Sequence, residues 1–576
     1  MQNNENERAL GAVIGDVIPL SAVSIPKESS LMKINMVSLE DGIIALGFRK
    51  MAAYMERINP DTKTYYVGLP RYRSMWKSFK RTTGDVAQFT ADDFDAIADD
   101  LCDADIVAVS SMTGYADTTK EVVKRVREKN KNAFIMWGGI HPIVYPENAI
   151  QADVDAICTG EGEFAFQEWL ELYQGGRDYT NVKNFWFKSR DGEIKKNGLL
   201  PLMTNAELNS LPFGKYGGQE WLYRHNQGFT QITLDDYLHN NGLGYNAIWT
   251  IGCPLHCTFC ANTVFIQNDA NYKKIRHSSP AYMVAEVENV RKIHPHVTTV
   301  LFNDDSFMGM PNREILEFAT LWREKLKGVQ FVVYGVIPTL VHREKFEMLT
   351  WAGMQRVRMG IQSGSEKMLD FYRRPIPIPK VEQAAQIISE FKKYQLAPSF
   401  DFIVDNPTET RQDVLDTLEL VYRLARPFTM NILSLRIIPN TMLEKQMLAL
   451  GFDVDLIDAN YLRIRPTWSN MMMFLLLWVR PPRKMFDWML SKARAYSEPQ
   501  KNYKTLLTLV RLPWLFLQGY RHLRWGEFSV ITGKFGYYLW KTGILQLWWK
   551  IFRPKYEMPV KNDHVPPSVA SAPTSA

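Results

Sequence analysis

Cys253-Pro254-Leu255-His256-Cys257-Thr258-Phe259-Cys260 gathers three of the chain's five cysteines into eight residues, directly after an apolar run, Ala247 to Ile251, that reads as a strand. Thiolates bind zinc and iron, and Gly252 ahead of them lets the chain turn tightly enough for three to converge. Three is one short of a closed site. A structural zinc takes four protein ligands, and His256 is the nearby residue that could complete it. A 4Fe-4S cluster on three cysteines would instead keep one iron open for chemistry.

Outward from the loop, one unit recurs. Strands near Ala247, Thr299, Gln330, Arg356, Pro398 and Phe428 alternate with the amphipathic helices Tyr282 to Ile293, Arg313 to Lys325, Arg343 to Ala352, Val381 to Tyr394 and Gln412 to Leu424. Six such units predict a partial (β/α)6 barrel, which carries its functional residues at strand C-termini, where the cysteine loop falls. Toward the N-terminus, Lys33 to Val37, Lys63 to Val67, Ile106 to Ser110, Ala133 to Trp137 and Ala156 to Cys158 read as strands between helices such as Ile43 to Arg57 and Thr119 to Lys129. That alternation predicts an α/β, doubly wound (Rossmann-like) sheet. Three small-residue loops fall at its strand ends, where such sheets bind ligands: Ser110-Ser111-Met112-Thr113-Gly114, Gly138-Gly139-Ile140-His141-Pro142 and Gly160-Glu161-Gly162-Glu163. Between the two regions, Val182 to Lys188, the turn Asp191-Gly192, and Glu193 to Lys196 read as a hairpin, with Leu208 to Lys215 and Asn240 to Gly244 as connector.

The spacing Cys253, Cys257, Cys260 resembles the Cys-x3-Cys-x2-Cys loop of the radical S-adenosylmethionine (SAM) family. The resemblance implies that these cysteines hold a 4Fe-4S cluster whose open iron chelates SAM, with Phe259 near the adenine. It also implies SAM contacts at Asp304 and Asp305 after the second barrel strand, and at Gln362 and Ser363 in Gly360-Ile361-Gln362-Ser363-Gly364-Ser365, where the family often has Glu for Gln362. The loop Asp405-Asn406-Pro407-Thr408 replaces a more usual Gly-Leu. The three N-terminal loops, in their order, look like the cobalamin-binding domain that precedes many of these enzymes. That likeness implies cobalamin contacts at Ser110, Ser111, Thr113, Gly138, Gly139, His141, Gly160, Glu161 and Gly162. The chain lacks the Asp-x-His-x-x-Gly motif through which another cobalamin family supplies a histidine to cobalt.

Composition bounds the rest. At 576 residues, 46% apolar and 23% charged, the chain reads as globular with several domains. Two cysteines outside the loop, Cys102 and Cys158, are too few for a disulfide framework, so a reducing interior is expected. Met1 to Arg8 is polar, and no secretory signal is expected from the first 30 residues. Eight of the 16 tryptophans lie beyond Thr467, and between Arg480 and Lys555 stand 15 Lys and Arg against 3 Asp and Glu. Because the whole chain is +6, that positive charge is local and marks an interaction face. Three readings compete for it. One is a membrane surface, with Tyr537, Trp540, Ile544, Leu547, Trp548 and Ile551 on one face of a helix from Gly536 to Phe552; the others are RNA, which lacks an accompanying signature, and a helical cap over the barrel.

The expected organisation is a cobalamin-binding domain over 30–180, a linker with a hairpin over 181–244, a radical SAM barrel over 245–466, a helical C-terminal domain over 467–562, and a disordered tail over 563–576. The resemblance implies an enzyme that uses a 4Fe-4S cluster, SAM and cobalamin; the expected location is the cytoplasm, with the basic, aromatic C-terminal region at the inner face of the membrane. Its expected reaction is methylation of an unactivated carbon of a small-molecule or lipid-like substrate, with electrons from a flavodoxin or ferredoxin. The alternatives are a non-methylating oxidoreductase or cyclase of the same kind, and a non-enzymatic, membrane-docked cofactor carrier.

Overall fold

Helices cover both faces of a nine-stranded sheet in the first part of the chain, as described by a computed structural model of residues 31–40, 42–68, 89–455, 464–529 and 533–558. The opening Met1 to Arg8 and the expected tail over 563–576 lie outside the described residues. The strands are β1 (Ile34–Ser38), β2 (Thr62–Tyr66), β3 (Ile106–Ser110), β4 (Phe134–Gly138), β5 (Ala156–Cys158), β6 (Phe185–Lys188), β7 (Ile194–Lys196), β8 (Glu220–Arg224) and β9 (Gly228–Gln231). Their order is β7-β6-β5-β4-β3-β1-β2-β8-β9, parallel from β5 to β8 and antiparallel at both ends. Every position of β1 is buried. Ile34 and Met36 pack with the helices Leu46–Ile58 and Glu163–Gln174, while Val37 joins Ile97 and Val122 of the helices Ala91–Leu101 and Ala116–Lys129. Burial on both faces suits a strand sandwiched in this way, and its buried Asn35 donates to the Leu101 carbonyl at 3.1 Å.

The segment 181–244, expected as a linker, supplies four strands to this sheet, two at each edge. Its hairpin is present, but β6 pairs with β5, which a local turn signal could not foretell. At the other edge a buried ion pair fixes β8: Arg49 bonds Glu220 at 2.7 Å, with side chains 2% and 5% exposed, and its guanidinium lies 4.0 Å from the Tyr216 ring centre.

The second sheet is the barrel. Its strands, β10 (Gly244–Ala247), β13 (Thr299–Phe302), β14 (Gln330–Val336), β15 (Met354–Gln362), β16 (Ser399–Val404) and β17 (Thr429–Ser434), are all parallel and neighbour one another in chain order. The first strand is Gly244–Ala247 and not Ala247 to Ile251. The Asp304 carboxylate accepts from the Trp249 and Thr250 amides at 3.0 and 2.8 Å, and the chain then leaves the barrel, so that β11 (Thr250–Ile251) pairs antiparallel with β12 (Arg276–His277). The expected connector Asn240 to Gly244 overlaps a helix, Leu234–Asn241, begun by a Thr233–Asp236 capping box. Along β15, Val357, Met359 and Ile361 are buried toward the helices, while Arg356, Arg358, Gly360 and Gln362 alternate with them toward the lumen. Arg358 there bonds both oxygens of Asp401, which also accepts from Asn431 at 2.9 Å.

The helix Lys504–Trp525 lies across the strands' N-terminal ends: the Trp514 indole donates to Thr429 Oγ1 at 3.2 Å, and that of Trp525 to Gln330 Oε1 at 3.3 Å. The cap reading is therefore seen in the fold. The helix expected over Gly536 to Phe552 is instead two, Gly533–Lys541 and Ile544–Phe552, because Gly543 takes φ 78° between them. Tyr537 and Trp540 turn inward against Leu238 and His296 and leave the face on which they were expected.

Replacing Glu220 by Ala would leave Arg49 buried without its counter-charge. The expected loss is about 3–5 kcal/mol of stability, read as a lower urea midpoint of the full chain; an unchanged midpoint would show that the pair does not anchor β8.

Candidate active site

The cysteine loop begins at Gly252, whose φ of 103° only glycine adopts freely and whose missing Cβ would stand 2.4 Å from the Lys274 carbonyl. Asp305 clamps both ends of the loop, accepting from the Gly252 amide at 2.9 Å, Asn262 Nδ2 at 3.0 Å and the Tyr272 hydroxyl at 3.1 Å. Within it, the Cys260 amide bonds the Cys257 carbonyl and the Thr258 amide bonds the Tyr372 carbonyl. Burial raises the Cys253 thiol and pushes Cys260 up to about 12. Thiols so placed stay protonated until a metal takes the proton's place. Arg374, 6% exposed, donates to Cys257 Sγ at 3.4 Å and to the Gly360 carbonyl at 2.6 Å, bringing a positive charge to the ligand set. Among the described residues, no three His, Cys, Asp or Glu side chains could hold a single metal ion. His256 Nε2, within the same loop, is buried without a hydrogen-bond partner.

The residues expected around SAM divide into two sets. Phe259 packs edge-on against Tyr372 at 5.3 Å, beside the loop. Gln362 ends β15 on the lumen side with φ 76°. By contrast, Asp304 has both oxygens engaged by Trp249 and Thr250, Asp305 is spent on the loop clamp, and Ser363 is fully buried, where its hydroxyl meets Thr417 Oγ1 and accepts from the Ser365 amide. Their neighbourhood is as expected, but their polar atoms are occupied by the fold. Arg374 was not anticipated, since it stands 117 residues from Cys257 and no local pattern joins them.

The expected cobalamin loops gather at the strand C-termini of the first sheet. Its order β5-β4-β3-β1-β2 reverses direction between β3 and β1, and such a switch point is where open α/β sheets bind ligands. Ser110 ends β3 there, and Thr113 Oγ1 is buried without a hydrogen-bond partner, an orphan that a bound polar group would satisfy. Gly138 ends β4. A Cβ on Gly139 would lie 2.8 Å from Ser110 Oγ, and one on Gly160 would lie 2.7 Å from the Asn184 side chain. Gly162 has room for a methyl, 3.6 Å from Met51 Sδ. Ser111 and Glu161 are committed elsewhere, whereas His141 is engaged only through Nε2 and its Nδ1 is a second buried orphan. The Ser111 hydroxyl receives Trp137 Nε1 and Thr119 Oγ1; His141, 2% exposed, stacks on Trp137 and pairs with Asn148; Glu161 binds Arg276 of β12 at 2.8 Å. Sequence reasoning passed over Glu40, just beyond β1 at the same switch point, whose carboxyl burial pushes up to about 7.

These loops face the barrel. The helix Asn262–Asn268 after the cysteine loop packs on Ile140–Val144, and Asn440 Nδ2, beyond β17, donates to the Val144 carbonyl at 2.9 Å. Loops from the C-terminal ends of both sheets are therefore in contact.

Residues 247–421 match the radical SAM superfamily and residues 81–170 the B12-binding domain. The chain thus carries a radical SAM domain and a B12-binding domain. Its cofactors are accordingly a 4Fe-4S cluster, SAM and cobalamin. It is 22% identical to an uncharacterized methyltransferase of Pyrococcus horikoshii over 56% of this chain and 65% of that protein. It is also 22% identical to cytidylyl-2-hydroxyethylphosphonate methyltransferase of Streptomyces wedmorensis, over 53% and 58%, and 23% identical to the anaerobic magnesium-protoporphyrin IX monomethyl ester cyclase of Cereibacter sphaeroides, over 56% and 49%. The chain thus spans less than two-thirds of the length of these relatives. In fold it is similar to the radical SAM methyltransferase TsrM of Kitasatospora setae, with TM-score 0.55, 15% identity and coverage of 72% and 76%. It is likewise similar to the cobalamin-dependent radical enzyme OxsB, with TM-score 0.56, 14% identity and coverage of 91% and 84%.

Gly252→Ala is expected to strain the loop by about 1–3 kcal/mol and to lower the iron and sulfide taken up on anaerobic reconstitution. Gly47→Ala, where a methyl meets nothing within 4 Å, should load fully. Equal loading of the two variants would show that Gly252 is not needed to shape the site.

Proposed function

We propose that the protein is a cobalamin-dependent radical SAM methyltransferase acting on an unactivated carbon of a small-molecule or lipid-like substrate. The observation that supports this most is the contact between the loops at the two sets of strand C-termini, made by Asn440 with Val144 and by Arg276 with Glu161. Hydrogen abstraction and methyl delivery must reach the same carbon, so their cofactors have to share one chamber. When bound, the cofactors supply a 5′-deoxyadenosyl radical and a transferable methyl group.

The chain's own residues hold, orient and exclude water. Cys253, Cys257 and Cys260 hold the cluster, and Arg374 offsets negative charge at Cys257. Phe259 and Gln362 border SAM. Ser110, Thr113 and the glycines at 138, 139 and 160 let cobalamin approach the backbone at the switch point. The polar lumen group of Arg358, Asp401 and Asn431 lies below this chamber and orients substrate. Electrons come from a flavodoxin or ferredoxin, in the cytoplasm. The cyclase among the relatives favours one alternative, a cobalamin-using reaction that does not methylate.

Anaerobically reconstituted protein with dithionite and SAM is expected to release 5′-deoxyadenosine, and Cys257→Ala to abolish it; no release from loaded protein would point to a cofactor carrier. With substrate, a product heavier by one methylene unit supports transfer, and turnover without that gain supports the alternative. Gln362→Ala is expected to weaken SAM binding about tenfold by calorimetry; unchanged affinity would remove Gln362 from the SAM site.

A further inference from the structure

Large apolar side chains left in water are concentrated in one part of this molecule. Of the 21 exposed large hydrophobics among the described residues, 15 fall between Trp478 and Phe552. On the helix Lys504–Trp525 they form a single stripe: Leu506, Leu509, Phe516, Tyr520 and Leu523, separated by three, seven, four and three residues. Its opposite face, with Leu507, Trp514, His522 and Trp525, closes the barrel mouth. The last helix repeats the arrangement. Leu545 is buried beneath it, while Ile544, Leu547, Trp548, Ile551 and Phe552 look outward, with Ile551 65% exposed. The spacing i, i+3, i+4, i+7, i+8 normally faces a core. Indole bonds join the two helices, from Trp548 to the Arg524 carbonyl and from Trp549 to that of Gly526, so the stripes belong to adjoining surfaces. Phe535 and Tyr538 of the helix Gly533–Lys541 extend the same array.

We infer that this array is a docking surface for the interface of a phospholipid bilayer that carries anionic headgroups. Charge decides the occupant. The three helices hold no Asp or Glu, and Lys504, Arg524, Lys541 and Lys550 are exposed on them, with Lys555 just beyond. Apolar rows among exposed cations, with tryptophan and tyrosine included, suit a helix lying in the headgroup region. None of the helices is long and apolar enough to cross a membrane, so they rest in the interface. A second copy on a twofold axis would set these same cations against one another with no carboxylate on the helices to meet them. Nucleic acid would match the charge, but the aliphatic residues Leu506, Leu509, Ile544, Leu547 and Ile551 offer bases no ring to stack on. The surface does not depend on which reaction the chamber performs.

Flotation of the full-length, reconstituted protein tests this inference. Vesicles of phosphatidylcholine with phosphatidylglycerol should retain it at least about tenfold better than phosphatidylcholine alone, and less so at high salt. Phe516→Asp with Leu547→Asp should abolish retention on both vesicles, and Lys541→Glu with Lys550→Glu should remove the preference for anionic lipid. All these sites are exposed, so the thermal midpoint and cluster absorbance should stay unchanged. The inference falls if neither vesicle retains the protein or if the substitutions leave retention intact. It also falls if sedimentation without lipid shows a dimer that the Asp pair dissolves, or if salt-sensitive RNA retention occurs without vesicle binding.

Discussion

Two adjacent carboxylates after β13 hold the reactive part of the molecule in shape. Asp304 takes the amides of Trp249 and Thr250 and turns the chain out of the barrel; Asp305 takes Gly252, Asn262 and Tyr272 and closes the loop that follows. Bonds from amides and hydroxyls to a carboxylate are stronger than neutral ones and fix direction as well as distance. Burial pushes Asp304 up to about 7 even against the donors aimed at it, so the anchor stands in a dry environment. A cluster loop held in this way is rigid because the barrel makes it so, since eight residues around three thiols have little packing of their own.

From that anchor the rest of the site follows. The loop leads into Asn262–Asn268, which packs on Ile140–Val144, and so one segment binds cluster chemistry to the β4 end of the first sheet. Arg276 to Glu161 and Lys50 to Glu286 tie the two sheets' surroundings together elsewhere, with carboxylates that are largely or fully withdrawn from water. Such pairs weaken little with salt and hold two layers at a set spacing. The helix Lys504–Trp525 then covers the opposite end of the barrel, so the loops at the two sets of strand C-termini are left facing each other.

Much of the fold was legible because the barrel and the centre of the first sheet are parallel, and strand-helix alternation leaves few other architectures. Five of the six barrel strands stand close to where their apolar runs place them, the first lying at Gly244–Ala247 ahead of its expected run, and the five expected strands of the first sheet lie within a residue of their observed bounds. What failed was local reasoning about segments whose partners are distant. The hairpin at Phe185–Lys196 carried a turn signal but nothing to say that β5 would receive it, and β8 had no signal beyond Glu220, whose partner Arg49 is 171 residues away. Tyr537 and Trp540 were placed with Ile544 and Leu547 because a continuous helix was assumed; the left-handed Gly543 breaks it and sends the two pairs in different directions.

By itself the sequence determined the cysteine trio, the glycine ahead of it and the order of strand and helix, because ligand spacing and hydrophobic period are carried by neighbours along the chain. Only the tertiary structure decided which polar groups remain available to a cofactor. Ser111, Glu161, Asp304 and Ser363 read as contacts in one dimension, but in three their oxygens are already satisfied by Trp137, Arg276, Thr250 and Ser365. A buried polar atom must find a partner, and which partner reaches it is settled by packing between residues that the sequence holds far apart.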